Sequence, residues 1–157
     1  FVHGLGLSDL TGASSVSAFV LFALLGGISL GAIADRIGHR RAMMVGLCAQ
    51  IVAYAALWFA DGIGLLLIGS ALFGVFYGSF VVLFPALVAD LYGLAHAGAI
   101  GGFIVGGGGL LGAWGPAAAG YVRDADGDYR RVFALCAATA VAALVLFATL
   151  PRPRRAV

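Results

Sequence analysis

A run of charged side chains between two apolar stretches is where this sequence concentrates its chemistry. Residues 31–41 read Gly-Ala-Ile-Ala-Asp-Arg-Ile-Gly-His-Arg-Arg. Asp35 stands at the end of an apolar stretch, where we expect it to need a cation or a helix N-terminus as a partner. Arg40 and Arg41 can bind carboxylates or lipid phosphates. The run predicts either a charged latch at a membrane surface or, if the arginines only set topology, a plain turn.

Two glycines frame this run. We expect Gly31 to let a neighbouring helix approach closely near the membrane surface. We expect Gly38 to permit a tight reversal of the chain. The candidate gating loop consists of Gly31, Asp35, Arg36, Gly38, Arg40 and Arg41.

Outside this run the sequence offers little that could catalyse a reaction. Cys48 and Cys136 lie singly in apolar runs, without a Cys-x-x-Cys or Cys/His spacing, and are interpreted as small buried hydrophobes. His3, His39 and His96 all fall in predicted loops, so no histidine relay is indicated. No paired carboxylates or nucleophile–base set occur in the apolar stretches. We therefore predict no enzymatic activity, metal site, cofactor or nucleic-acid ligand.

The elements that position these residues follow from composition. Of the 157 residues 62% are hydrophobic and 10% are charged, whereas soluble domains carry about 25% charged residues. A membrane-spanning helix needs about 20 apolar residues to cross about 30 Å of hydrocarbon. Membrane strands would alternate polar and apolar residues, and the apolar stretches of this sequence do not alternate in this way. The sequence predicts an all-α membrane protein with five transmembrane helices, at about 14–34, 42–60, 63–89, 98–122 and 132–150.

The arginines indicate how these helices are oriented. The predicted side with loops 35–41 and 90–97 and the tail 151–157 holds six arginines and two aspartates, and the other holds three arginines and five aspartates. Arginine excess marks the cytoplasmic side, so we expect the N-terminus of the chain outside and its C-terminus in the cytoplasm. The absence of lysine beside abundant Ala, Gly and Arg hints at a GC-rich bacterial genome, and hence an inner membrane.

The 31–41 run resembles the signature loop of the major facilitator superfamily, Gly-x-x-x-Asp-[Arg/Lys]-x-Gly-[Arg/Lys/His]-[Arg/Lys]-[Arg/Lys], and matches it at every specified position. The resemblance implies a secondary active transporter that moves a small metabolite, such as an organic acid, by alternating access, with this loop stabilising one closed face. An alternative that shares the spans but needs no cavity is a membrane scaffold or sensor that does not transport.

The rest of the chain looks like one subgroup of that family. The end of the third span (77–93), the Gly-rich fourth span and the turn 124–129 resemble the last three spans of the monocarboxylate and oxalate–formate group. This implies spans 8–12 of a 12-helix major facilitator fold. Because the chain begins at Phe1, we expect a fragment, residues 1–157 forming the C-terminal half without most of its first helix, whose partner is the missing N-terminal half. Spans 2–6 are the competing register, disfavoured because the third span lacks the arginine usual in the fourth span.

The fourth span is unusual for its ten glycines between residues 98 and 120. It has neither the preceding strand nor the lysine of a phosphate-binding loop. The spacing of Gly98, Gly102 and Gly106 predicts close packing of helices. The span is also expected to bend and to serve as a gating helix. The candidate bending residues are Gly106, Gly107, Gly108, Gly109 and Pro116.

Candidate substrate contacts are uncharged, because no ionisable residue stands at mid-depth in a span. This argues against oxalate or a charged monocarboxylate bound by this half alone. Tyr77 and Ser70 share one face of the third span, and the resemblance places that span and the fourth, with Trp114, around the substrate cavity. The competing interpretation of these residues is packing or interfacial anchoring. Gln50 and Tyr54 are expected to hydrogen-bond one helix to another.

Overall fold

The chain folds into helices throughout the part that the structure describes. A computed structural model describes residues 9–127 and 129–149, so that His3, Asp128 and the arginines at 152, 154 and 155 lie outside the described residues. The elements are α1 (Asp9–Ile37), α2 (His39–Trp58), α3 (Ile63–Tyr92), α4 (Leu94–Gly112), α5 (Gly115–Asp126) and α6 (Arg130–Thr149).

Five stretches of these helices are long and apolar enough to cross a membrane, which confirms the predicted all-α membrane fold with five spans. Four of the stretches are single helices, and the fourth runs across both α4 and α5. The helices α1 and α3 are longer than predicted, because helix continues into polar residues at their ends. The fourth span is interrupted at Ala113 and Trp114, beside the candidate bending residue Pro116.

Helix α3 occupies the centre of the bundle. It packs along α1 on one side and along α2 on another, and α6 packs against α2. Helix α4 contacts α3 more sparsely, and α5 meets α6 over a short stretch. The core between α1, α2 and α3 contains Leu30, Ala34, Ala42, Met43 and Leu83.

The outer surface of the bundle is apolar. Large side chains such as Ile28, Phe103 and Leu146 are mostly exposed. A water-soluble protein rarely exposes contiguous apolar surface of this extent, whereas lipid solvates it without cost. The arrangement matches helices whose backbone groups are satisfied internally and whose side chains face hydrocarbon.

The closest helix contact lies between α1 and α3, and glycines make it possible. A methyl group at Gly74 would overlap the carbonyl oxygen of Phe19, and one at Gly78 would overlap that of Ala23. On the facing helix, a methyl group at Gly26 would come within 2.5 Å of the Val75 carbonyl oxygen. The Gly74-x-x-x-Gly78 spacing therefore serves close approach of two backbones, as it does in other membrane helices.

Two close contacts that the sequence predicts are not formed among the described residues. A Cβ at Gly98, Gly102 or Gly106 would have no neighbouring atom within 4 Å, because α4 lies at the edge of the bundle. A Cβ at Gly31 would meet the Val82 side chain at 3.5 Å, an ordinary contact that does not require glycine.

Candidate functional site

The reversal between α1 and α2 consists of a single residue, Gly38. Its φ of 89° lies in a region that side chains disfavour. Its amide donates to the Ala34 carbonyl at 2.8 Å, and its carbonyl accepts from the Ala42 amide at 3.1 Å. One helix therefore ends and the next begins with almost no loop between them, which fixes the direction of the side chains on either side.

His39, the first residue of α2, connects this turn to α3. Its Nδ1 lies 2.6 Å from Oδ2 of Asp90, in the last turn of α3. Both side chains are partly exposed at the end of the bundle. The contact joins residues 51 positions apart in the chain and holds the turn against the end of α3.

Arg40 connects the same turn to α6. Its Nε donates to the Phe147 carbonyl at 3.1 Å, and its Nη2 donates to the Ala148 carbonyl at 2.8 Å. These carbonyls belong to the last turn of α6, where backbone acceptors have no partner within the helix. A cation at a helix C-terminus is also favoured by the helix dipole. Arg40 thus uses Nε and Nη2 on a helix end, a partner that the sequence did not predict, and Nη1 forms no hydrogen bond with another described residue.

The remaining charges of the loop are directed away from the bundle. Asp35, Arg36 and Arg41 are exposed, and none of the three forms a hydrogen bond or ion pair with another described residue. The cation or helix N-terminus that Asp35 was expected to need is therefore not found among residues 9–127 and 129–149. The loop thus contains Arg40, which bonds to another helix of the bundle, and three charged residues whose side chains are exposed at the surface.

A second feature is an apolar groove of about 610 Å³ between α1 and α3. Tyr77 lies on its wall with half of its surface exposed, and its ring centroid is 5.5 Å from that of Phe19. Val20, Leu24 and Val81 supply apolar side chains to the same groove. The phenol of Tyr77 gives this surface a hydroxyl that can donate and accept a hydrogen bond.

The other predicted substrate contacts stand apart from this groove. Ser70 is half-buried on α3, two turns before Tyr77, and does not line the groove. Trp114 lies at the break between α4 and α5 and is 75% exposed. Neither side chain hydrogen-bonds to another described residue. The structure therefore brings Tyr77 and Ser70 onto one helix but does not bring Trp114 into contact with them.

The break in the fourth span falls just before Pro116, the second residue of α5. The Ala113 amide still bonds to the Gly109 carbonyl at 2.9 Å, whereas the Trp114 amide reaches back only to Leu111, at 3.4 Å. The predicted bending residues Gly106 to Gly109 lie within the continuous part of α4.

Gln50 differs from the sequence prediction, whereas Tyr54 of α2 also hydrogen-bonds to Cys136 of α6, as predicted. Gln50 Nε2 donates to the Tyr54 hydroxyl at 3.1 Å, and both residues lie on α2. The predicted hydrogen bond from one helix to another is wrong for Gln50, because a residue four positions on along a helix is its nearest polar neighbour.

A family model described as Major Facilitator Superfamily matches residues 1–157, the whole chain. The chain belongs to the major facilitator superfamily. Proteins of this superfamily are transporters embedded in a membrane, in agreement with the five spans and the exposed apolar surface. The loop around Gly38 is the segment that resembles the signature loop of this superfamily, and the groove beside Tyr77 lies on the surface of a chain of this superfamily.

Sequence reasoning missed several contacts of this facilitator, the one between His39 and Asp90 among them. The Gly74-x-x-x-Gly78 spacing could have signalled the α1–α3 contact, since it is the pattern that helix pairs in membranes use. The binding of Arg40 to the end of α6 and the ion pair between Asp61 and Arg130, at 3.1 Å, had no local signal. Both join residues that are distant in the chain.

Proposed function

We propose that this chain is the C-terminal half of a secondary active transporter that moves a small metabolite by alternating access. Its five spans would be spans 8–12 of a 12-helix facilitator, and the N-terminal half would be its partner. The family match and the five apolar helices support this proposal. In such transporters two halves rock around a site near the middle of the membrane.

The observation that carries the proposal is the division of charges at the signature loop. His39 and Arg40 bond the N-terminal end of α2 to the C-terminal ends of α3 and α6. These three helix ends are therefore held together at one charged face of this half. Asp35 is exposed beside them without a partner among the described residues. An unpaired carboxylate there suits a contact with the other half that forms in one state only, and only such a differential contact can bias the cycle.

The groove beside Tyr77 suggests what this half contributes to substrate binding. Its walls are apolar, with the Tyr77 hydroxyl as a polar contact. We assign to it the uncharged part of a small metabolite. If the substrate is an organic acid, as in the monocarboxylate and oxalate–formate group that the chain resembles, the other half supplies the cation. Uptake from a panel of organic acids and neutral metabolites distinguishes these classes.

We assign the signature-loop face to the cytoplasm of a bacterial cell, with the chain in the inner membrane. The N-terminus of the chain would then lie outside and the C-terminus inside. The excess of arginine on this face supports the assignment, because Arg and Lys are concentrated in cytoplasmic loops.

Asp35→Asn in the full-length protein tests the latch. We expect uptake to slow by about tenfold, since a hydrogen bond to a charged group contributes about 1.5 kcal/mol and this one forms in one state only. Membrane insertion should be unchanged, because Asp35 is exposed and forms no hydrogen bond or ion pair with another described residue. Initial rates of uptake into cells, normalised to the amount of protein in the membrane, measure the effect.

The matched control is Asp124→Asn. Asp124 is equally exposed but lies on α5, at the other end of the bundle. Uptake by this variant should equal that of the wild type. Equal uptake by Asp35→Asn and wild type would remove the latch role, and absence of uptake by the wild-type protein for every compound tested would count against transport itself.

A further inference from the structure

A second cavity, of about 280 Å³, lies between α2, α3 and α6, away from the groove beside Tyr77. It begins at Met43 and Phe147, near the signature loop, and reaches Gln50 and Cys136 in the middle of their helices. Met43 and Gln50 are separated by about 10 Å along α2, at 1.5 Å per residue. The cavity therefore spans much of one leaflet, which is about 15 Å of hydrocarbon deep.

Gln50 and Thr139, two polar residues on the wall of this cavity, donate hydrogen bonds to nearby groups of the protein. Gln50 donates its amide nitrogen to Tyr54 at 3.1 Å, and the Thr139 hydroxyl donates to the Cys136 carbonyl at 2.9 Å. The other lining residues are apolar, including Phe76 and Ala143. A polar solute would find few free partners there, whereas a hydrocarbon chain would make dispersion contacts with the whole wall.

Arginine side chains lie beside the end of the cavity that Met43 and Phe147 form. Arg40 is bonded to the carbonyl of Phe147, itself a lining residue, and stands one turn before Met43. Its Nε and Nη2 are used in these bonds, and its Nη1 donates to no other described residue. Arg41 is exposed beside it. His39 is engaged with Asp90, so the nearest carboxylate on α3 already has a partner.

We propose that this cavity binds one acyl chain of an anionic phospholipid, with the lipid phosphate at Arg40 and Arg41. Charge complementarity selects the occupant, because the apolar cavity fits a chain and the adjacent arginines fit a phosphate. The bound chain would fill a gap between α2, α3 and α6 and so strengthen the packing of α6 against the other two helices. Lipid binding at this site requires neither a substrate nor a transport cycle, so it can be tested independently of the proposed function.

Binding of phosphatidylglycerol and of phosphatidylcholine with the same acyl chains to the purified full-length protein, measured by native mass spectrometry, tests the headgroup. We expect phosphatidylglycerol to bind more tightly. Arg40→Gln should weaken its binding about fivefold, the effect of removing one cation at a membrane surface. Arg36→Gln is the matched control, because Arg36 is exposed on the same face but does not border the cavity, and it should leave binding unchanged.

Filling the cavity tests the acyl chain. Ala143→Phe should abolish the tight phosphatidylglycerol site, because the ring would occupy the space of the chain. Ala142→Phe places the same ring at the preceding position of α6. Ala142 is exposed and does not line the cavity, so this variant should leave the site intact. Equal affinity for the two lipids, or tight binding that survives Ala143→Phe, would overturn the proposal.

The two cysteines provide a test that needs no substitution. Cys136 lines the cavity, whereas Cys48 is exposed on α2 and does not. Phosphatidylglycerol should slow the alkylation of Cys136 by N-ethylmaleimide at least fivefold relative to the lipid-free protein, and leave that of Cys48 unchanged, as read by peptide mass spectrometry. Equal protection of both thiols, or of neither, would contradict a chain bound in this cavity.

Discussion

At the scale of single residues, the contact between α1 and α3 depends on positions that lack a side chain. Gly74 and Gly78 are buried on α3, and their Cα atoms lie against the carbonyls of Phe19 and Ala23. Without a hydrophobic driving force between helices in lipid, such close packing is a main source of helix association. The groove beside Tyr77 follows the same contact, so its shape depends on these glycines.

Gly78→Ala is therefore expected to destabilise the protein. The added methyl group would collide with the Ala23 carbonyl, which belongs to a helix backbone and cannot move independently. Overpacking of this kind costs about 1–3 kcal/mol. The thermal unfolding midpoint of the detergent-purified protein should fall, and Phe19 should separate from Tyr77.

Gly102→Ala is the control for this prediction. Gly102 is also a helical glycine, but a Cβ there would have no neighbour within 4 Å. Alanine favours helix by about 0.5–1 kcal/mol over glycine, so the midpoint should stay constant or rise. A midpoint that falls equally in both variants would show that close approach of α1 and α3 is not the cause.

The same residues show how far sequence reasoning reaches. The turn at Gly38 was predictable, because the need for a positive φ and the charges around it are local. Glycines four residues apart occur in both the third and the fourth span, and spacing alone does not tell which set faces another helix. The partners of Arg40 were not predictable, since the end of α6 lies more than 100 residues further along the chain.

At the scale of elements, the fourth span differs from the others because it is interrupted. Pro116 has no amide hydrogen, so the Gly112 carbonyl lacks the donor that a continuous helix would supply. Five spans could be predicted because the thickness of the bilayer fixes the length of an apolar helix. The interruption lies beside Pro116, one of the candidate bending residues from the sequence, whereas the four consecutive glycines at 106–109 stay within α4.

Pro116→Ala is expected to make the fourth span more continuous. The new amide can donate to the Gly112 carbonyl, which removes the local cause of the break. Hydrogen exchange measured by mass spectrometry should slow by about fivefold or more in residues 112–118, because one further helical hydrogen bond stabilises by about 1 kcal/mol. Exchange in α3 near Pro85, which stays within a helix, is the internal reference. Unchanged exchange in residues 112–118 would mean that the proline is not what interrupts the helix.

At the scale of the whole molecule, polar contacts gather at the two ends of the bundle. His39 with Asp90, and Arg40 with the last turn of α6, lie at one end. Asp61 with Arg130 lies at the other. Within the described residues no ion pair stands between these ends. The loops 35–41 and 90–97, which the sequence assigned to one side of the membrane, thus lie together at one end of the bundle, and the side that this end faces stays a prediction.

Single-cysteine labelling in intact cells tests which end faces outward. Cys48 and Cys136 are first replaced by serine, and a cysteine is introduced at Gly62, between α2 and α3, or at Ala95, in the first turn of α4. Gly62 has an extended backbone and open space around a Cβ, and Ala95 is exposed, so both sites tolerate the change. With the signature loop in the cytoplasm, a membrane-impermeant maleimide should label Gly62→Cys in intact cells and Ala95→Cys only after permeabilisation. The reverse pattern would place the arginine-rich end outside, and with it the phosphate site at Arg40 and the latch at Asp35.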